Sequence, residues 1–278
     1  MKKILLILIS LSVLGLTSIS NAKSIRIGTE GAYPPWNNLN SAGELEGAEI
    51  DFGNEACARM GVDCEWVTQD WDGIIPALLQ GKYDIIIAGM SITEERKEKV
   101  NFTNGYMTDG ARFAVMKGSG LEGLTVGNGV NKVNLNNAGG KEQAAIGQLI
   151  AAMSGSTVCV QSSTIHQNFL EKHMSGAVKL KLYQSVDDHN LDLRAGRCDA
   201  VLADVGSIID FMESGGGANV AFTGPTFSGG VFGDGVGGAI RKEDTDIMEM
   251  WNAVIAEMSA DGTTAEITKK WFGRDISM

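Results

Sequence analysis

Histidine is nearly missing from this sequence, with three in 278 residues, and no histidines or cysteines cluster at the short spacings a metal site uses. No metal and no cofactor is therefore expected. Basic residues are also in short supply, 23 Lys and Arg against 34 Asp and Glu, for a formal charge of -11. An acidic chain without a basic stripe argues against nucleic acid as a partner and leaves a small cation open. Beyond residue 22 no apolar run is long enough to span a bilayer, so no membrane insertion is expected.

The first 22 residues have their own pattern. Lys2 and Lys3 make a basic start, Ile4 to Leu16 is apolar, and Ser20, Asn21 and Ala22 form a small-residue cleavage site. This predicts a secretory signal peptide over residues 1–22, cleaved after Ala22. No cysteine stands at the cut, so a lipid anchor has no support. Cleavage removes two lysines and no acids, leaving a charge of -13 on an exported chain.

Four cysteines in an exported protein point to disulfides. Cys57 and Cys64 bracket a helix end and the return into a strand, where a local staple fits. Cys159 and Cys198 each lie in an apolar, strand-like run. They bridge if those strands are neighbours, and otherwise stay as two buried thiols.

Short apolar runs alternate with helical segments. Strands are predicted over 24–30, 64–70 and 83–90, with helices over 47–61 and 71–82 between them; Gly61 is a good helix stop. The plan repeats with strands over 156–164, 178–185 and 197–204 and helices over 166–174, 186–196 and 205–214. Such alternation predicts parallel sheets with crossover helices, an α/β fold. Residues 118–156, rich in glycine and asparagine and then briefly helical, read as a surface excursion of the second unit. After Pro225 a glycine-dense extended stretch leads into helices over 244–259 and 263–273. That suits a return to the first unit, leaving two lobes linked by two strands. The predicted units are lobe 1, residues 23–108 plus 234–278, and lobe 2, residues 111–230. The cleft between them is the expected ligand site.

Three constellations face that cleft. At the end of the 83–90 strand, Ala88 and Gly89 leave room for close approach to the backbone. A helix then starts near Ser91 or Thr93, and Arg96 adds a forked donor; together they suit a carboxylate. The plainer reading is a Ser91–Glu94 capping box with a solvated arginine. Tyr33, with Trp36 nearby, and Trp71 sit at predicted strand ends, where they sandwich a ligand side chain or simply fill the core. Glu30 is placed to meet a distal positive charge. In the second unit, Gln161, Ser162, Ser163 and Thr164 end a strand and open a helix. Asp204 ends a later one, as an acid for an ammonium group or as a helix cap.

Four segments together carry a resemblance: residues 27–61, 71–103, 196–204 and 241–273. In order and spacing they resemble the periplasmic solute-binding proteins of polar amino acid ABC importers, family 3. The nearest look is to the lysine/arginine/ornithine, histidine and opine binders. The resemblance covers nearly all of the exported chain apart from about 118–156. It implies a two-lobed periplasmic-binding-protein fold of type II that closes on one ligand and delivers it to a membrane permease. It implies a periplasmic, non-enzymatic, monomeric protein without a cofactor.

The family pattern assigns Arg96 to the α-carboxylate, helped by backbone donors around Ser91 and Thr164. It gives Asp204, Ser91 and the Gly89 carbonyl to the α-ammonium. Trp71 and Tyr33 take the side chain, Glu30 its distal cation, and Ser163 a further contact. Cys57–Cys64 matches a family disulfide, and Cys159–Cys198 resembles a pair in a general amino acid branch. Departures are also present. Ala88 and Gly89 stand where histidine and lysine binders carry serines, Ile165 replaces a polar residue, and the 118–156 segment is nearer in length to the opine branch. A basic amino acid is the expected ligand, with an opine or another polar amino acid as the alternative. A dehydratase-like enzyme and a sensor that presents ligand to a chemoreceptor are other uses of the same scaffold.

Overall fold

A computed structural model describes residues 24–278; the expected signal peptide and its cleavage point lie outside the described residues. Among these, no helix is long and apolar enough to cross a membrane.

The first sheet has five strands, in the spatial order Asp63–Thr68, Ser24–Thr29, Ile85–Ile86, Val236–Ile240, Asn101–Met107. The first three run parallel, and Val236–Ile240 is antiparallel to both of its neighbours. The helix Ala48–Met60 makes the first crossover. It ends, as its sequence predicts, where Gly61 takes a left-handed conformation at φ 66°, a backbone state that costs glycine nothing. Ala48, Phe52, Ala56 and Cys57 bury one face of this helix against Ile25 and Ile27 of the sheet. The same core takes Trp251, Val254, Ile255 and Met258 from the helix Thr245–Ala260. The Cys57–Cys64 disulfide ties the helix end to the next strand.

The predicted strand over 83–90 is paired only at Ile85–Ile86. Ile87 still donates its N–H to the Gly28 carbonyl. Gly89 then takes φ 59° and turns its N–H to the buried Glu49 carboxylate, at 2.7 and 2.8 Å. That turn ends the ladder early and opens the backbone toward the cleft.

The second sheet has six strands, in the order Lys179–Tyr183, Thr157–Gln161, Ala200–Asp204, Ala111–Met116, Val220–Ser228, Lys132–Asn134. Its first three strands are parallel, and Ala111–Met116 runs against both neighbours. Because Thr157–Gln161 and Ala200–Asp204 are adjacent, Cys159 and Cys198 meet and are bridged. The free-thiol alternative is thereby excluded. The chain crosses from the first sheet to the second at 108–110 and returns through 229–235.

Residues 118–156 are mostly exposed, as the sequence reading expects, but they also add to the core of the second half. Lys132–Asn134 adds an edge strand, and the helix Gly140–Ala152 buries Ala145, Ile146 and Leu149. Together with Val126, Val133 and Met153 these residues belong to the core of the second half. Ala145, Leu149 and Met153 recur every fourth residue, a one-face helical stripe that the surrounding glycines and asparagines hide. Leu149→Ala is expected to lower the unfolding free energy by about 2–5 kcal/mol, read by urea denaturation. A loss below roughly 0.5 kcal/mol, the range of surface changes, would return the segment to the surface.

Candidate functional site

Loops at the carboxyl ends of the parallel strands in both sheets converge on one small cavity. The first sheet contributes Glu30, Tyr33, Trp71, Ala88, Gly89, Ser91 and Arg96 to its walls, and the second contributes Thr164 and Asp204. Ser163 lies outside, on a larger groove whose boundary with the cavity is formed by Trp71 and Arg96.

Arg96 sits in a four-residue helix, Glu94–Lys97. Thr93, not Ser91, is the cap, since its Oγ1 accepts the Arg96 N–H at 3.2 Å. Ser91 instead forms a bridge with Val236 of the first sheet, which holds it at the cavity edge. The Arg96 side chain folds inward. Its Nη1 donates to the Ser91 carbonyl at 3.0 Å, and its guanidinium lies 5.2 Å from the Trp71 ring centre. Burial pushes its pKa down to about 10, against the opposing pull of Glu95 and Asp204. Among the described residues no carboxylate comes within ion-pair distance of it. The solvated-arginine reading does not hold.

Trp71 opens a short turn, Trp71–Gly73, after the strand Asp63–Thr68. Its Nε1 donates to the Ser163 carbonyl at 3.0 Å, and Ser163 is held at φ 58°, an uncommon state for a residue with a Cβ. Tyr33 packs its ring against Gly89, where an added Cβ would come 3.4 Å from the ring. Its hydroxyl donates to Asp204 Oδ2 at 2.7 Å.

The two acids are both buried, at 8 % exposure each. Glu30 Oε1 accepts Gln161 Nε2 at 2.6 Å. Burial raises the Glu30 pKa to about 7, the Gln161 bond opposes that shift, and Asp70, Asp72 and Glu49 add to it. Asp204 closes the strand Ala200–Asp204 and precedes a helix without capping it through its side chain. Its second oxygen lies 3.2 Å from His166 Nε2.

Gly89 cannot offer its N–H to a ligand, because Glu49 already holds it; Glu49 in turn accepts from Tyr106 and Asn37. The Thr164 hydroxyl is likewise engaged, donating to the Gln161 carbonyl at 2.8 Å and accepting the Gln167 N–H at 3.2 Å. The first turn of the helix Ile165–Met174 also borders the cavity, through Ile165 and His166.

Gln161, Ile165 and His166 also line the cavity; the sequence reading named Gln161 only as part of a donor-rich strand end and Ile165 only as a departure from the family pattern, and it missed His166. Thr164 as the cap was the available signal, because the first turn of a helix whose cap faces a cleft faces it too. Among the described residues, side-chain hydrogen bonds join the two halves at Tyr33–Asp204, Gln161–Glu30, Trp71–Ser163, Ser162–Asp72 and Asn168–Glu95. The cleft is closed.

Residues 25–274 match the family described as bacterial extracellular solute-binding proteins, family 3. The chain is 37% identical to an L-arginine-binding protein of Pseudomonas aeruginosa, over 99% of this chain and 98% of that protein. It is 36% identical to an octopine-binding periplasmic protein of Rhizobium meliloti, over 92% of each. Among solved structures it resembles a periplasmic His/Glu/Gln/Arg/opine family-binding protein from Silicibacter pomeroyi in complex with lysine. That match has a TM-score of 0.72 and 36% identity, covering 91% of this chain and 99% of that one. Fold, extent and sequence agree: with a type II periplasmic-binding fold, the chain belongs to the bacterial extracellular solute-binding proteins of family 3.

Proposed function

We propose that this protein captures a basic amino acid, of the arginine, lysine or ornithine kind, in the cleft and delivers it to the permease of an ABC importer. The charge arrangement of the cavity carries this reading. One guanidinium and two carboxyl groups line a single small space. Their complement is a molecule with one negative and two positive groups, which is a basic amino acid at neutral pH. Arg96 takes the α-carboxylate, and Asp204 takes the α-ammonium with Ser91 and the Gly89 carbonyl. Glu30 exchanges Gln161 for the distal cation. Tyr33 and Trp71 pack on the side chain between. Ala88 leaves space at the wall, and Thr164 and Ser163 frame the entrance from the second lobe.

The energies are adequate. A micromolar complex needs about -8 kcal/mol, and charge-assisted hydrogen bonds contribute roughly 1.5–3 kcal/mol each, less ordering costs. Lobe 1 comprises residues 23–108 with 234–278 and lobe 2 comprises 111–230. They hinge near 108–110 and 228–235, so that opening admits ligand and closure buries it. The protein acts as a monomeric periplasmic shuttle and not as an enzyme, since each carboxyl group lining the cavity has a ligand cation to hold.

An opine is the second reading. The groove outside Trp71 and Arg96 gives an extended ligand somewhere to go, and one relative is named for octopine. Titrating L-arginine, L-lysine, L-ornithine and octopine into the protein by calorimetry separates the two. Tighter binding of octopine than of any free amino acid would reverse the order.

Arg96→Ala is expected to weaken arginine by about 2–5 kcal/mol, the usual loss when one partner of a buried charge pair is truncated. Near-normal affinity would remove Arg96 from the carboxylate site. Glu30→Gln is expected to weaken arginine, lysine and ornithine while sparing amino acids with neutral side chains; an equal loss for all would show that Glu30 does not select the side chain.

The pH dependence has a definite sign. With its pKa near 7 in the empty site, Glu30 holds a proton below that pH, which a cationic side chain must displace. Arginine affinity should fall as pH drops below about 7, and binding near neutrality should release protons. Calorimetry in buffers of different ionisation enthalpy reads that release directly, and Glu30→Gln should remove its share.

A further inference from the structure

Asp204 is engaged by two donors of its own protein. The Tyr33 hydroxyl of the first lobe reaches Oδ2 at 2.7 Å, and His166 Nε2 of the second lobe stands 3.2 Å from Oδ1. A carboxylate offers only acceptors, about four lone-pair positions in all. One donor on each oxygen therefore fixes the plane of the group and leaves one position per oxygen free. For that bond to exist, His166 must carry a proton on Nε2.

The surroundings of His166 leave Asp204 as its charged neighbour. It is 5 % exposed, in the first turn of Ile165–Met174. The Phe232 ring lies 6.0 Å from its own. His189 of the helix Val186–Arg194 is within electrostatic reach, but burial holds its pKa down to about 3, so it stays uncharged. His173 and Lys172 lie at the far end of its own helix, where His173 stacks on Phe169. Tyr33, Asp109, Glu49 and Arg96 act on Asp204 from the first lobe and the hinge.

We propose that His166 is a positioning residue for the ligand's α-ammonium. With its proton on Nε2 it aims the Asp204 carboxylate into the cleft. The inference rests on the amino acid reading of the cleft.

L-Citrulline is the probe for the test. It has the shape of arginine without the side-chain charge, so protonation of Glu30 drops out. At about pH 7.5, His166→Leu should bind citrulline and arginine roughly tenfold more weakly, the loss of one hydrogen bond to a charged group. His166→Gln keeps an N–H donor and should recover most of that loss. Should citrulline not bind, L-arginine on Glu30→Gln, Glu30→Gln/His166→Leu and Glu30→Gln/His166→Gln makes the same comparison. Unchanged affinity in His166→Leu, or a His166→Gln variant that binds no better than His166→Leu, would overturn the proposal. If no amino acid binds, the proposed function fails while the histidine assignment is still read by nitrogen-15 NMR of the free protein. A proton on Nε2 supports it, and a proton on Nδ1 overturns it.

Discussion

A guanidinium drawn out of water, with no carboxylate among the described residues within ion-pair distance, is the constraint on which this protein depends. Removing a charge from water costs several kcal/mol even after the protein relaxes. Arg96 recovers part of that from the Ser91 carbonyl and the face of Trp71. The remainder is recovered only when an anion arrives. Glu30 presents the opposite case, a buried acid that keeps its proton to about pH 7. A site whose charges are incompletely compensated is poised for a ligand that supplies the opposite pattern.

The fold holds that arrangement with a packed wall on one side and with hydrogen bonds across the cleft on the other. Glu49 is fully buried and is held by Tyr106, Asn37 and the Gly89 N–H. It thereby fixes the turn at Gly89 on which Tyr33 rests, so the first half presents a preformed wall. The second half reaches that wall through a handful of hydrogen bonds, among them Tyr33–Asp204 and Gln161–Glu30. These are contacts a ligand can replace in kind.

Much of this was legible in the sequence. The alternation of apolar runs and helices marked two α/β units, and Gly61 marked the end of the helix Ala48–Met60. Glu30, Trp71, Arg96 and Asp204 stood at strand ends or on the loops that follow them, where such sheets bind ligands. The unread parts depend on packing between distant segments. The stripe Ala145, Leu149, Met153 was masked by neighbouring glycines. The strand over 83–90 was cut short by a bond from Gly89 to Glu49, forty residues earlier. His166 gained its place only through Asp204, thirty-eight residues on, and Asp204 in turn meets Tyr33 across 171 residues. No local pattern encodes such meetings.

The most direct measurement is a crystal structure of the protein grown with L-arginine. The expected electron density has the α-carboxylate on Arg96, the α-ammonium at Asp204, and the distal guanidinium at Glu30 with Gln161 displaced. Arginine bound with its carboxylate away from Arg96, or density confined to the groove outside Trp71, would contradict the reading of the buried guanidinium as the anion seat.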